Sequence, residues 1–172
     1  MKPSSYYLAI AGMLLALNAQ ADNTKGSSFA GIFDDDSKPW TEAAYTLPAY
    51  PQLPDWVRFD AGPDTSNKYY ADSKSLSIAG DGTIHLILRI QSASGVENLS
   101  VEGIQCDQGN YRSYAFGDSI NKVWIESIRT EWRRIGYDDK ARRTLRENLC
   151  PEKNVPTSNE QLAKLLQAIA LH

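Results

Sequence analysis

Two cysteines constrain this chain more than any other feature, because a bond between them would join two distant parts of the fold. Cys106 closes an apolar stretch that predicts a strand, and Cys150 ends a pattern that predicts a helix. Two cysteines in an exported chain usually pair. A disulfide between them would close a loop of about 44 residues, which contributes about 4 kcal/mol to the unfolding free energy by the chain-entropy estimate. The sequence therefore predicts a disulfide that ties a sheet to C-terminal helices.

No metal site or cofactor is predicted. The chain has two histidines, His85 and His172, and neither lies at a zinc-ligand spacing from a cysteine. The sequence also lacks a Cys-x-x-Cys pair, which is the usual redox arrangement. We therefore expect the two cysteines to have a structural role.

The first 21 residues show the three parts of a cleavable export signal. Lys2 supplies a positive charge, residues 6–17 are apolar, and Ala19-Gln20-Ala21 matches a cleavage site that ends at Ala21. The apolar run is too short to cross a bilayer of roughly 30 Å as a stable anchor. We predict a signal peptide over residues 1–21 and a periplasmic or secreted protein with no membrane span after its removal.

Residues 22–55 are predicted to form an extended arm rather than a folded element. Prolines interrupt any helix or central strand here, because proline lacks a backbone N–H. Apolar side chains lie between the prolines, so we expect the arm to anchor on a single domain formed by residues 56–172. A polyproline ligand for a partner is the alternative. The prolines are Pro39, Pro48, Pro51 and Pro54, and the apolar residues are Tyr45, Leu47, Tyr50, Leu53 and Trp56.

Alternating apolar residues predict an antiparallel sheet of four or more strands. The clearest strand is 83–91, where the even-numbered positions are apolar. Short turns such as Asp81-Gly82 join the segments, and short connections require antiparallel pairing. Within residues 98–106 the apolar alternation changes phase, which predicts a bulge at Glu102-Gly103. A further strand is predicted over residues 111–117.

The pattern becomes helical in the last third of the chain, where we predict two to three helices. Apolar residues at three- or four-residue steps indicate a helix over residues 124–135, with an edge strand at 123–125 as the alternative. Capping residues predict a second helix over 138–150 and a last one over 157–169. Strands followed by helices define the α+β class.

No motif predicts a catalytic residue. The segment Gly117-Asp118-Ser119-Ile120 is similar to the nucleophile block of GDSL-type esterases, but the only histidine that follows it is the last residue of the chain. A turn is the favoured interpretation. Glu102 with Asp107 or Glu126 could form a carboxylate pair for glycoside hydrolysis. A small carboxylate-dependent envelope hydrolase is therefore kept as an alternative.

The distribution of charge suggests a ligand surface. The net charge of −3 is mild and predicts no nucleic-acid partner. Residues 129–146 hold seven basic side chains against three acidic ones, and such clusters can bind phosphate-bearing polymers or lipid head groups. Pairing with residues 22–72, which hold nine acidic side chains against four basic ones, or simple solvation, is the alternative. The candidate ligand surface comprises His85, Arg89, Arg133 and Arg142.

Several segments of the chain resemble the cryptic neisserial protein family. The similarity runs from about Trp40 to Cys150 and implies an exported protein of Gram-negative bacteria with one small domain. It implies no activity, substrate or cofactor, and therefore no catalytic residue. The matching segments are Asp81-Gly82, residues 94–98, residues 101–106, Tyr114-Ala115, Trp124, Trp132 and Cys150.

These observations together predict an exported envelope protein that is a non-catalytic binding or interaction module. Its partner would be an envelope component, with an anionic one as a candidate. A passive structural protein is a further alternative to the hydrolase. The sequence leaves the ligand, the oligomeric state and the strand order open.

Overall fold

The structure, a computed structural model, describes residues 39–63 and 66–171. The predicted signal peptide, its cleavage site after Ala21 and the arm up to residue 38 lie outside these residues. The described residues form an antiparallel sheet and two α-helices, which confirms the α+β class. The elements are β1 (Trp56–Phe59), β2 (Lys68–Asp72), β3 (Ser77–Ile78), β4 (Ile84–Gln91), β5 (Glu97–Gln105), β6 (Asn110–Asp118), β7 (Val123–Glu126), β8 (Arg133–Arg134), α1 (Lys140–Leu149) and α2 (Asn159–Ala168).

Strands β4 and β5 lie at the centre of the sheet. The strand order is β1-β2-β4-β5-β6-β7, with β3 also paired to β4 and β8 also paired to β6. The long hairpin of β4 and β5 pairs in an unbroken register from Ile84 opposite Ile104 to Gln91 opposite Glu97. The predicted strand 83–91 is therefore confirmed.

The two helices cover one face of the sheet, which we call the helix face. Ile84, Leu86 and Leu88 of β4 point to this face and pack with leucines of both helices, such as Leu145 and Leu162. The apolar residues of each helix recur at three- or four-residue steps, so each helix presents one apolar stripe to the sheet. Burial of these stripes holds the helices on the sheet.

The predicted helix starts are confirmed by side-chain caps. The Asp139 carboxylate accepts a hydrogen bond from the Arg142 N–H at the start of α1. The Ser158 hydroxyl accepts from the Gln161 N–H at the start of α2. Such caps satisfy N–H groups that have no partner within the helix.

The opposite face, which we call the arm face, is covered by residues 39–55. These described residues form no helix or strand. Tyr45 and Leu47 pack over Ile87, Val101 and Ala115, which are almost completely buried. The sheet is therefore buried on both faces over its centre.

The irregularity predicted in β5 lies in its neighbour instead. Strand β5 pairs regularly with β4, so Glu102-Gly103 is not a bulge. The register of β5 against β6 shifts between Val101 and Glu102, and the residue of β6 left without an opposite partner is Tyr114. The alternation of apolar residues along β5 shifts by one position because side chains on both faces of this strand are buried. A bulge in β5 is not the cause.

The helix predicted over residues 124–135 was wrong, and β7 and β8 stand in its place. The Asp118 carboxylate accepts from the N–H groups of Ile120 and Asn121. This tight turn reverses the chain directly after β6, so the next residues pair with β6 as β7. The turn interpretation of the Gly-Asp-Ser-Ile segment is confirmed, and so is the alternative edge strand at 123–125.

The predicted disulfide is confirmed. Cys106 directly follows β5, Cys150 directly follows α1, and their Cα atoms are 5.4 Å apart. Arg146 of α1 also donates two hydrogen bonds to the Cys106 carbonyl, at 3.0 and 2.7 Å. The end of α1 is thus fixed to the end of β5 by covalent and polar contacts.

Loss of the disulfide should destabilise the fold without changing it. A double variant, Cys106→Ala with Cys150→Ala, should lose about 2–4 kcal/mol of unfolding free energy, because its unfolded chain is no longer restricted by the 44-residue loop. Urea unfolding followed by tryptophan fluorescence measures this loss. Reductant should lower the stability of the natural protein by a similar amount and leave the variant unchanged. A natural protein that is insensitive to reductant would contradict the prediction.

Candidate functional site

Glu42 holds residues 39–55 against the arm face. Its carboxylate accepts hydrogen bonds from Arg112 Nη1 at 2.5 Å, the Tyr114 hydroxyl at 2.8 Å and Trp132 Nε1 at 3.2 Å. Arg112 and Tyr114 reach it together because the irregularity in β6 places Tyr114 without an opposite partner on β5. Three donors on one carboxylate, one of them a guanidinium, make a strong polar contact.

His85 of β4 lies beneath this contact and is only 3% exposed. The Tyr45 ring stacks on the imidazole with 3.8 Å between ring centroids. His85 Nε2 lies 3.2 Å from the Tyr114 hydroxyl oxygen. Because that hydroxyl donates its hydrogen to Glu42, Nε2 carries the imidazole proton and donates to Tyr114.

Burial keeps His85, Tyr45 and Tyr114, which we call the His85 cluster, in their neutral forms. Burial lowers the pKa of His85 to about 4, although the charges of Asp81 and Glu42 act in the opposite direction. Burial raises the pKa of Tyr45 to about 12, and burial together with Glu42 raises the pKa of Tyr114. At neutral pH the cluster therefore contains an uncharged imidazole and two uncharged phenols.

Asp81 anchors the same segment next to Glu42. Its carboxylate accepts from the N–H groups of Ala43 and Thr83 at 2.7 and 2.9 Å. Burial raises the pKa of Asp81, but these backbone hydrogen bonds outweigh burial and lower it below the usual value. Asp81 is therefore ionised and engaged with the backbone.

An open cleft of about 490 Å³ adjoins the cluster on the arm face. Tyr45, Arg112, Tyr114, Glu126 and Thr130 are among its lining residues. Its lining mixes polar and apolar side chains, and its one guanidinium already pairs with Glu42. The cleft therefore offers no unpaired positive charge to a ligand.

The predicted ligand surface is divided between the two faces of the sheet. His85 and Arg89 lie on the arm face, four residues apart on β4. The Arg89 guanidinium lies over the rings of Tyr70 and Trp56, at 3.9 and 4.7 Å from their centroids, and 3.5 Å from a Glu97 carboxylate oxygen. Arg89 is thus engaged in contacts within the fold.

Arg133 and Arg142 meet on the helix face. Both guanidiniums lie over the Tyr111 ring, at 4.9 and 4.2 Å from its centroid. The structure therefore brings these two residues together and separates them from His85 and Arg89 by the sheet. A role of any of the four in ligand binding stays a prediction.

Arg142 is engaged by a buried acid. Its Nε and Nη2 donate to the two carboxylate oxygens of Glu102 at 2.6 and 2.5 Å, and its Nη1 donates to Asp139. Burial lowers the pKa of Arg142, but the two carboxylates outweigh this effect and raise it. Glu102 is completely buried and also accepts from the Ser100 hydroxyl. It is therefore closed to a substrate, which weakens the carboxylate-pair hypothesis.

A second opening, which we call the apolar groove, lies on the helix face beside β7. It has a volume of about 450 Å³, and its lining includes Phe116, Ile125 and Ile128, which are 46%, 58% and 98% exposed. Arg129, Arg133 and the acidic residue Glu126 also line it. Among the described residues no carboxylate forms an ion pair with either arginine. The groove thus combines an apolar floor with one acidic residue and two guanidiniums that are not in ion pairs.

Sequence reasoning missed the apolar groove because residues 124–135 were predicted to be a helix. The signal that could have found it is the alternation Val123-Trp124-Ile125, in which Trp124 points to the arm face and donates to the Pro48 carbonyl. Glu42 was missed as well. A lone carboxylate in an irregular segment carries no local pattern, and its partners come from residues 70 to 90 positions later.

The described residues contain no group of three or more metal-ligating side chains that could hold an ion. They also contain no helix with the length and apolar composition needed to cross a membrane. Neither finding concerns residues 1–38, 64–65 or 172.

The neutral, buried state of His85 should make stability depend on pH. Below pH 6.5 the unfolded chain protonates this imidazole, whereas the folded chain resists protonation down to about pH 4. The unfolding free energy should therefore decrease as pH falls through this window. Urea unfolding at several pH values measures the slope.

The contribution of His85 is isolated by comparing two variants. His85→Gln should give a shallower decrease between pH 6.5 and 4, because one proton-linked group is lost. His172→Gln removes the other histidine and is the matched control. An unchanged slope in His85→Gln would contradict the prediction.

Comparison with known proteins assigns a family to this chain. Residues 35–167 match the model of the CNP1-like family, which extends the predicted resemblance past Cys150 into α2. The chain is 33% identical over 138 residues to Cryptic neisserial protein 1 of Neisseria gonorrhoeae (strain ATCC 700825 / FA 1090), covering 68% of each chain. No solved structure matches it. The resemblance read from the sequence is thereby confirmed, and the chain belongs to the CNP1-like family.

Proposed function

We propose that this chain is a non-catalytic binding protein of the bacterial envelope that holds an anionic amphiphile in the apolar groove. The hydrocarbon part of the ligand would lie against Phe116, Ile125 and Ile128. Its anionic head would meet Arg129 and Arg133. The observation that carries the proposal is the presence of these two unpaired guanidiniums beside an exposed apolar floor.

The size and exposure of the groove support a ligand. Pockets for small molecules commonly have volumes of about 300–1,000 Å³ and mostly apolar linings with a few polar groups. Large apolar side chains clustered on the surface of a folded domain often mark an interaction site. The cleft on the arm face is a weaker candidate for an anion, because its arginine is already neutralised by Glu42.

A binding role is favoured over catalysis by the state of the polar groups. Glu102 is sealed under α1 and paired with Arg142. The pKa values of Asp81 and Asp118 are lowered, Asp118 by hydrogen bonds from Asn121 and the Ile120 N–H, whereas a general acid needs a raised one. The hydrolase alternative therefore has little support in these residues.

An envelope location is supported by the disulfide. Disulfides form and persist in oxidising compartments such as the periplasm and the cell exterior. The Cys106–Cys150 bond is compatible with the export that the N-terminal sequence predicts.

The proposal is tested by calorimetric titration of the purified protein with decanoate, below the concentration at which decanoate forms micelles. We expect binding at one site. Arg133→Gln should weaken it by about tenfold, because one charge-assisted hydrogen bond to the carboxylate is lost. Arg134→Gln is the matched control, since Arg134 is the adjacent residue of β8 and does not line the groove.

Two further measurements distinguish the contribution of the anionic head from that of the hydrocarbon chain. Decyl maltoside, which has the same hydrocarbon chain and no charge, should bind more weakly than decanoate and should not respond to Arg133→Gln. Ile128→Asp should weaken both ligands, and its side chain is too exposed for the change to disturb folding. Equal effects of Arg133→Gln and Arg134→Gln on decanoate binding would overturn the proposal.

A further inference from the structure

The two edges of the sheet differ in how they are covered. Residues after α2 run along β1, where Phe59 pairs with Ala170 and the Leu171 N–H donates to the Arg58 carbonyl at 2.8 Å. At the other edge, β7 pairs with β6 and with no other strand of the described residues. An unpaired strand edge is a template for pairing with another chain.

The backbone of β7 is oriented for such pairing. The Ser127 N–H donates to the Tyr114 carbonyl of β6 at 2.8 Å. The direction of the backbone N–H and C=O groups alternates along an antiparallel strand. The backbone groups of Val123 and Ile125 therefore also point toward β6. The N–H and C=O groups of Trp124 and Glu126 then point away from the sheet, toward the free edge.

The side chains of this edge are unusual for an unpaired strand. Edge strands are commonly protected by charged residues, proline or bulges. Here Val123 and Ile125 are 49% and 58% exposed on the helix face. Exposed apolar residues on a free edge favour pairing with another chain, whereas charged residues would prevent it.

The sequence Lys122-Val123-Trp124-Ile125-Glu126 is complementary to itself in the antiparallel direction. With Trp124 opposite its own copy, Val123 lies opposite Ile125. Lys122 ends the turn before β7, where its φ is +58° and its N–H donates to the Asp118 carbonyl, so only its side chain is available to Glu126 of the copy. Lys122 and Glu126 are exposed, and both occur on the arm face, where the Lys122 ammonium lies 5.9 Å from the Tyr50 ring centroid and Glu126 lines the cleft. Directly opposite residues of unlike charge stabilise an antiparallel pair.

We propose that two copies of this chain associate through β7, antiparallel and centred on Trp124, to form one continuous sheet. The arrangement is a two-fold dimer, so every contact occurs twice. Two Lys122–Glu126 pairs lie on the arm face, and two Val123–Ile125 pairs lie on the helix face. The backbone of Trp124 exchanges hydrogen bonds with its copy at the two-fold axis.

This association places the two apolar grooves next to each other on the helix face. Ile125 lines each groove and, in the dimer, lies opposite Val123 of the other copy. The dimer does not depend on a ligand in the groove, so its test stands apart from that of the proposed function.

The test is sedimentation velocity of the purified, disulfide-bonded protein over a series of concentrations. We expect a reversible monomer–dimer equilibrium. Lys122→Glu and Glu126→Lys should each raise the dimer dissociation constant by about tenfold, because the symmetry turns both attractive pairs into repulsive ones. The double variant Lys122→Glu with Glu126→Lys restores unlike charges and should return the constant to near its natural value.

Matched apolar changes provide a second readout. Ile125→Lys should abolish the dimer, because it places a charge on the apolar face of the pairing edge. Val96→Lys is the control: Val96 is 60% exposed, close to the 58% of Ile125, and lies in the turn between β4 and β5. At a concentration far below the dimer dissociation constant, where all the proteins are monomeric, the unfolding midpoint of each variant should match the natural one.

Three results would overturn the proposal. The natural protein could remain monomeric at every concentration, which would leave the edge free or bound to a different protein. A dimer could form and tolerate both single charge reversals, which would place its interface elsewhere. The double variant could dissociate as readily as either single variant, which would show that the two side chains do not lie opposite each other.

Discussion

The ion pair between Glu102 and Arg142 lies where the sheet and the first helix meet. Taking two charges out of water costs several kcal/mol for each ion, and here a two-pronged contact and the Ser100 hydroxyl offset that cost. The geometry satisfies both groups only if α1 lies over this part of β5. The pair therefore fixes the position of α1, and the disulfide at the ends of β5 and α1 follows from the same placement.

The opposite face depends on a polar contact of the same kind. Glu42 brings an irregular segment onto the sheet, and Tyr45 then seals His85 from water. Glu42 and His85, which are residue types common in catalytic sites, thus serve to attach residues 39–55 to the sheet. The open surface that remains beside β7 is apolar with unpaired cations, and it is there that both proposals of binding arise.

Sequence patterns correctly predicted those parts of the fold that depend on interactions between residues close together in the chain. The alternation in residues 83–91 and the caps at Asp139 and Ser158 act within a few residues of the chain, and these predictions were confirmed. The prediction for residues 124–135 was wrong because a three- or four-residue spacing of apolar side chains also fits a short strand followed by a loop. Pairing with β6 decided between these structures, and it acts across the turn that Asp118 stabilises.

The sequence by itself determined the family, the covalent link and the antiparallel α+β character of this protein, because each is carried by residue type and short-range spacing. Tertiary structure alone decided which polar groups are buried in pairs and which remain open. Glu42 and Arg112 are 70 positions apart, and no pattern along the chain connects them. It also divided the predicted ligand surface, since residues that look alike in sequence were placed on opposite faces of one sheet.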